Sequence, residues 1–267
     1  MIGWKPLKKL NMKQIPNLFT LLNLFFGCIA VVMILQTGEG IMSLNGEEWS
    51  IFLPERIWWG AVFIGLAAVV DFLDGFVARL FKATSEMGKQ LDSLADVVSF
   101  GVAPGMILFQ LLRISFARHP QGLDIPEFWL LPAFILPMAA AWRLARFNID
   151  PGQAYGFKGM PTPATGLLVA SLPLILLYDR DGMLQSVILT PWVLYGLVMV
   201  LSWLMVSNLP LMGLKFKDYG FRSNLPKWLL VAIALVSGLI LQWLAVPVVF
   251  IAYIILSLAI KNKSHDV

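Results

Sequence analysis

Four aspartates within a stretch of twenty-six residues carry the side chains best equipped for chemistry in this sequence. Asp71 and Asp74 stand in Val-Val-Asp-Phe-Leu-Asp-Gly-Phe-Val-Ala-Arg, and Asp92 and Asp96 in Gly-Lys-Gln-Leu-Asp-Ser-Leu-Ala-Asp. On a helix, a spacing of three residues turns about 300° and one of four about 400°, so each pair shares a face, one turn apart. The short connection of residues 80–87 makes the two helices antiparallel neighbours, which lets all four carboxylates converge. An ionised aspartate near hydrocarbon costs up to about 3 kcal/mol, and clustered like charges add to that cost, so the group calls for a countercharge. Oxygen donors with no cysteine or histidine beside them select Mg²⁺, Mn²⁺ or Ca²⁺ over zinc, and four carboxylates can hold two such ions. Gly75, Ala78 and Gly88 lie on or next to the carboxylate faces, where missing side chains let a bulky ligand approach the backbone. Arg79, one turn beyond, is placed to pair with an aspartate or clamp a phosphate. The plainer alternative for these last four is helix packing and a charge marking the end of a span.

The elements that position the aspartates are membrane helices. The chain has 267 residues, of which 58% are hydrophobic and 13% charged, with a mean hydropathy of +0.77. That composition excludes a water-soluble fold of this length. Cys28 is the single cysteine, so no intrachain disulfide forms, and a net charge of +4 without any arginine-rich run argues against a nucleic-acid partner. Apolar runs near 16–36, 57–78, 91–112, 127–147, 162–178, 187–207, 226–240 and 243–260 give an all-α, polytopic membrane protein of about eight transmembrane helices. The last two are divided at Leu241-Gln242-Trp243, because about 35 apolar residues overshoot a bilayer. With eight crossings, sixteen of the twenty lysines and arginines fall on the side of both termini, leaving Arg56, Arg113, Arg118 and Arg180 opposite. The positive-inside rule therefore puts both termini and the aspartates on the cytoplasmic face. Residues 1–14 alternate Trp4, Leu7, Leu10 and Met12 with lysines, as a short basic interfacial segment would. Residues 15–267 then form a single transmembrane catalytic domain. His119 falls on the side opposite the aspartates and His265 in the C-terminal tail, both as solvated residues.

The run from Asp71 to Asp96 reads Asp-x-x-Asp-Gly-x-x-Ala-Arg, eight residues, Gly-x-x-x-Asp-x-x-x-Asp. This resembles the defining motif of the CDP-alcohol phosphatidyltransferases at every position. Four further segments narrow the resemblance: Ile15-Pro16-Asn17-Leu18-Phe19-Thr20, Val98-Ser99-Phe100-Gly101-Val102-Ala103-Pro104, Arg143-Leu144-Ala145-Arg146-Phe147-Asn148, and Phe157-Lys158-Gly159-Met160-Pro161-Thr162-Pro163. Together they look like the membrane-embedded phosphatidylserine synthases of bacteria and archaea, over about residues 15–170. The resemblance implies a CDP-alcohol phosphatidyltransferase fold in the prokaryotic cytoplasmic membrane. It also implies transfer of a phosphatidyl group from CDP-diacylglycerol to the hydroxyl of L-serine, and a homodimer. By the same resemblance Asp71, Asp74 and Asp92 are ligands of Mg²⁺ or Mn²⁺, two ions in all. Asp96 is the general base that takes the serine proton while also touching a metal. Asn17, Gly75, Ala78, Arg79 and Gly88 bind CDP-diacylglycerol. A diphosphate-linked lipid keeps its acyl chains in the bilayer and its nucleotide at the surface, which suits aspartates at the cytoplasmic ends of two spans.

The carboxylate of serine needs a cation. Arg143 and Arg146, three residues apart at the end of the fourth span, can supply it, with Lys158 and Asn148 as further candidates. Equally, both arginines can serve orientation alone. Three other readings stay open. The same scaffold can use glycerol 3-phosphate or an inositol phosphate as acceptor, each wanting a denser basic pocket. An aromatic prenyltransferase would carry a second acidic motif, whereas beyond residue 150 only Asp179, Asp181, Asp218 and Asp266 occur. A divalent-cation transporter would need a polar route through spans five to eight, which contain no acidic residue. The eight-span topology makes a direct forecast: in a Cys28-free background, single cysteines at positions 45 and 262 should label from opposite sides of the membrane. Labelling from one side breaks the count.

Overall fold

The computed structural model describes residues 15–36, 43–45, 48–50, 56–81, 85–118, 125–149, 157–179, 181–213 and 224–263. The basic segment 1–14, both histidines and the stretches 150–156 and 214–223 lie outside them. Helix α1 (Ile15–Leu35) is followed by a small antiparallel ribbon, β1 (Ser43–Asn45) against β2 (Glu48–Ser50), and by α2 (Ile57–Leu80). Next, α3 (Glu86–Asp96), a π-helical segment Val97–Val102 and α4 (Ala103–Ala117) form one uninterrupted stretch. Two 3₁₀ turns, Glu127–Trp129 and Leu131–Phe134, lead into α5 (Ile135–Ile149). The chain continues through β3 (Phe157–Lys158), α6 (Thr162–Tyr178), α7 (Met183–Ile188), α8 (Pro191–Val206), β4 (Pro210–Leu211), α9 (Leu225–Leu241) and α10 (Ala245–Lys263). Strands β3 and β4 pair antiparallel, Phe157 opposite Leu211 and Lys158 opposite Pro210.

Local chemistry sets several boundaries. Pro163, Pro191 and Pro226 open α6, α8 and α9 in the first turn, where a missing N–H costs nothing. Ser85 caps α3, its Oγ accepting from Gly88 N at 3.0 Å, and Glu86 adds a favourable charge to the first turn. The expected break after Leu241 is present: Gln242 takes φ 51°, a 3₁₀ turn follows, and α10 packs against α9.

Among the described residues, four helical stretches are long and apolar enough to cross a membrane: Pro16–Leu35, Ile57–Leu80, Glu86–Ala117 and Leu225–Ala259. Helices α6 and α8 are apolar but shorter. The eight crossings read from hydropathy are therefore not established by helix length. The physical reason is that prolines at 132 and 191 divert parts of those runs into 3₁₀ turns or a separate short helix, leaving 15 to 17 residues of α-helix in α5, α6 and α8. Large apolar side chains stand exposed along these helices, among them Phe72, Trp142, Met199 and Leu239. Together with the apolar helices, that surface is that of an integral membrane protein.

The core is centred on the π-helical segment. Phe100 is fully buried among residues from α4, α5 and α6, and α1, α5 and α6 all touch this segment. Two glycines allow the approach. A Cβ on Gly27 of α1 would stand 2.3 Å from Ser99 Oγ and 3.0 Å from Ser99 Cα. One on Gly166 of α6 would stand 2.9 Å from Phe100 Cβ and 3.0 Å from Phe100 Cα. Backbone cannot yield as a side chain can, so Gly166→Val should lower the thermal midpoint in detergent, by about 1 to 3 kcal/mol of stability. Gly65→Ala is the control, since nothing lies within 4 Å of its Cβ position; it should leave the midpoint unchanged or raise it.

Candidate active site

The C-terminal half of α2 and the whole of α3 both pack against α1 and bring their aspartates together. One carboxylate oxygen from each of Asp71, Asp74 and Asp92 lies within 4.8 Å of the other two. Asp74 is buried, and Asp71 and Asp92 are half-buried. Asp92 Oδ1 is buried with no hydrogen-bond partner, which is the state of an acceptor built for a group other than protein. Three hard oxygen ligands with an orphaned lone pair among them can hold a metal ion. Asp96 is not part of this trio. It is 6% exposed, and its Oδ1 accepts from Asn23 Nδ2 at 3.2 Å.

Helix α1 serves these aspartates with neutral donors. Asn17, Thr20 and Asn23 recur every three residues, and with Gly27 they line the face turned to α2, α3 and the π-helical segment. Thr20 Oγ1 lies 2.9 Å from Asp74 Oδ2 and 3.2 Å from Pro16 O. Asn17 Oδ1 would be 3.0 Å from a Cβ on Gly88, so α3 can pass this close only with glycine there. Between these helices opens a cleft of about 510 Å³, lined among others by Asn17, Asp74, Gly75, Ala78, Gly88 and Asp92. Space opens beside Gly75, where a Cβ would meet nothing within 4 Å. Four of the five residues expected on the CDP-diacylglycerol side thus line one cleft. Arg79 does not line it: it is exposed, and its Nε donates to Gly75 O at 2.8 Å.

The two arginines of α5 have different surroundings. Arg143 is 8% exposed, and one terminal nitrogen donates to Thr162 Oγ1 at 3.1 Å while its Nε is buried without a partner. It lies within electrostatic reach of Asp96 and of Tyr253 on α10. Arg146 instead grips the end of α8, donating to Val206 O at 3.3 Å and to Asn208 Oδ1. Asn148 bridges α5 to α3, donating to Ser93 Oγ at 2.8 Å and to Gln90 Oε1 at 3.4 Å, and its carbonyl accepts from Lys89 Nζ at 3.0 Å. Lys158 pairs with Pro210 in the ribbon that joins the segments before α6 and after α8.

A family model described as CDP-alcohol phosphatidyltransferase matches residues 13–207. The chain belongs to this family. Among similar curated proteins, a CDP-diacylglycerol–serine O-phosphatidyltransferase of Helicobacter pylori is 32% identical over 196 residues, 73% of this chain and 70% of that protein. Proteins of the same name from Mycobacterium leprae and Saccharomyces cerevisiae are 37% and 36% identical, over 55% and 57% of this chain. The aligned segments cover 47% and 51% of those two longer proteins.

In this CDP-alcohol phosphatidyltransferase, three of the four motif aspartates, Asp71, Asp74 and Asp92, are drawn into a cluster that could hold a metal ion, and Asp74 and Asp92 line the cleft. Sequence reasoning missed three polar residues that touch this machinery: Thr20, Asn23 and Thr162. For the first two a signal existed, since Asn17, Thr20 and Asn23 form a polar stripe of helical period inside an apolar run. Thr162 gave none, because its role depends on how α6 starts against α5. The family match ends before α9 and α10, yet Tyr253 of α10 is buried near Arg143 and donates to Met212 O at 2.9 Å.

Proposed function

We propose that this protein transfers the phosphatidyl group of CDP-diacylglycerol to the hydroxyl of L-serine, giving phosphatidylserine and CMP. One observation carries the reading: buried Asp96 lies within electrostatic reach both of the Asp71–Asp74–Asp92 trio and of the half-paired buried cation Arg143. The names of the relatives support serine as the acceptor.

In this scheme Asn17, Gly75, Ala78 and Gly88 admit the cytidine and ribose, and the exposed Arg79 meets phosphate at the surface. Asp71, Asp74 and Asp92 would hold Mg²⁺ or Mn²⁺, and Asp96, outside that trio, is left to act as the base. When bound, such ions neutralise the diphosphate and stabilise the charge on departing CMP. Arg143 takes the carboxylate of serine through its free Nε edge, leaving Arg146 to secure α8. Asp96 accepts the hydroxyl proton as the serine oxygen bonds to the phosphatidyl phosphorus and the bond from that phosphorus to the CMP oxygen breaks. The remainder of the scheme has eight crossings from the apolar runs, both termini and the site on the cytoplasmic face of the cytoplasmic membrane from the charge pattern, residues 15–267 as one catalytic domain, and a homodimer from the family resemblance. Helices of 15 to 17 residues reach about 22 to 26 Å, close to the hydrocarbon thickness of about 30 Å once the flanking turns are added.

Metal dependence and acceptor recognition are tested separately. Asp71→Asn should weaken binding of Mn²⁺ and of CDP-diacylglycerol together, by about tenfold or more. Excess chelator should abolish CMP release until Mg²⁺ or Mn²⁺ is restored; full turnover in chelator would sink the assignment. For the acceptor, Arg143→Lys should raise the KM for serine by about tenfold while leaving that for CDP-diacylglycerol near normal, because an ammonium cannot reproduce a guanidinium fork. The variant should also discriminate less against ethanolamine, which is serine without its carboxylate. An unchanged serine KM would move the acceptor site away from α5.

A further inference from the structure

Asp92 and Asp96 are four residues apart on α3, and helical side chains lean toward the N-terminus. With nothing to restrain it, the Asp96 carboxylate would tilt toward Asp92 and the trio. The structure shows a restraint instead. Asn23 Nδ2 donates to Asp96 Oδ1 at 3.2 Å, the one hydrogen bond from another side chain that Asp96 makes among the described residues.

Asn23 is fixed as firmly as any residue in the chain. It is fully buried, and its backbone carbonyl accepts from Ser99 Oγ at 3.1 Å. Ser99 belongs to the π-helical segment that begins immediately after Asp96, and Gly27, one turn beyond Asn23 on α1, lets the two backbones close to that distance. A π-helical insertion widens the helix by one residue in a turn and is frequent at functional sites. Here the Ser99 hydroxyl of that segment reaches the backbone of α1 at Asn23. Helix α1 is thus locked to the segment carrying Asp96 by backbone approach as well as by a side-chain contact.

Stability does not explain the amide. Asn23 Oδ1 is buried with no partner, and an unpaired buried carbonyl is a net cost to folding that an apolar residue of the same shape would avoid. The half of Asn23 that is satisfied is the half that faces Asp96.

We propose that Asn23 is a positioning residue for the proton-accepting carboxylate: it holds Oδ1 of Asp96, keeps that group out of the metal-binding trio, and leaves Oδ2 to take the acceptor's proton. This rests on the reading of Asp96 as the base. The same α1 face then does two distinct jobs, Thr20 orienting a metal-binding carboxylate and Asn23 orienting the base.

The test uses the full chain in detergent, with Mn²⁺ binding followed by electron paramagnetic resonance beside steady-state kinetics. Asn23→Leu should lower kcat about tenfold or more, with Mn²⁺ affinity and the KM for CDP-diacylglycerol within about twofold of the parent. Because Asn23 acts through Asp96, the double variant Asn23→Leu/Asp96→Asn should be no slower than Asp96→Asn alone. If Asn23→Leu does not fold, Asn23→Ser removes the amide with less bulk and takes the same measurements. A kcat within twofold of the parent, while Asp96→Asn is inactive, overturns the inference and leaves the base assignment standing. Loss of Mn²⁺ affinity in step with kcat would place Asn23 in service of the metal trio and also overturn it, as would losses that multiply in the double variant. Full activity of Asp96→Asn would overturn the base reading and this inference with it.

Discussion

Mutual repulsion among carboxylates at the edge of a bilayer is the constraint around which the rest of this structure is arranged. Two unit charges 4.8 Å apart repel by about 3.5 kcal/mol at an effective dielectric of about 20. Three such pairs in the Asp71–Asp74–Asp92 trio amount to about 10 kcal/mol. A hydrogen bond to a charged group returns about 1.5 to 3 kcal/mol, so Thr20 on Asp74 cannot hold the cluster together by itself. Among the described residues, Arg79 is spent on a carbonyl of its own helix, and Lys89 on the end of α5. By magnitude, then, a multivalent cation would make the arrangement tolerable, and the neutral donors on α1 hold Asp74 and Asp96 in place.

Neutral donors suit that task better than charged ones would. A lysine or arginine on α1 would neutralise an aspartate permanently and compete with the ion for its oxygens. Thr20 and Asn23 leave the charge in place and restrict only its direction. The close passage of α1 past α3 and the π-helical segment is what brings such short side chains within reach, and Gly27 and Gly88 allow it, while Gly166 lets α6 close on Phe100 of the same segment. Packing glycines and site geometry are in this sense linked, since a side chain at Gly27 would meet the Ser99 backbone and part the elements that share the Asn23–Asp96 hydrogen bond.

Much of this was legible from spacing alone, and the boundary of what was legible has a physical cause. The aspartate pairs and their short connection are local, and local spacing fixes which residues share a helix face. The break near Leu241 follows from a length no bilayer can accommodate, and Gln242 supplies the turn. Contacts between helices distant in sequence could not be read. Arg143 and Arg146 are equivalent by spacing, yet one meets the start of α6 at Thr162 and the other the end of α8 at Asn208. Only the relative placement of α5, α6 and α8 separates them. The same holds for Asn23, whose polar character stands out in an apolar run but whose partner depends on the register of α1 against α3. Span counting failed to be settled for a different reason: prolines convert parts of apolar runs into 3₁₀ turns, which hydropathy does not see.

The division of α3 between its two lower aspartates gives the proposed reaction a direction. Four residues of helix advance about 6 Å along the axis, so Asp92, among the trio, and Asp96, beside Arg143, sit about that far apart in depth on one face. Displacement at phosphorus requires the incoming oxygen and the departing one to lie on opposite sides of the reacting atom. A donor held at the level of Asp92 and a hydroxyl delivered at the level of Asp96 approach that arrangement without either ligand moving. Asn148, bridging α5 to Ser93 between those two levels, ties the helix carrying Arg143 to the one carrying both aspartates. The distance between the cation that would receive the acceptor and the carboxylate that would deprotonate it is therefore set by two packed helices. A small amino-acid acceptor fits such a fixed span, and a bulkier phosphorylated alcohol would have to find its extra cations elsewhere.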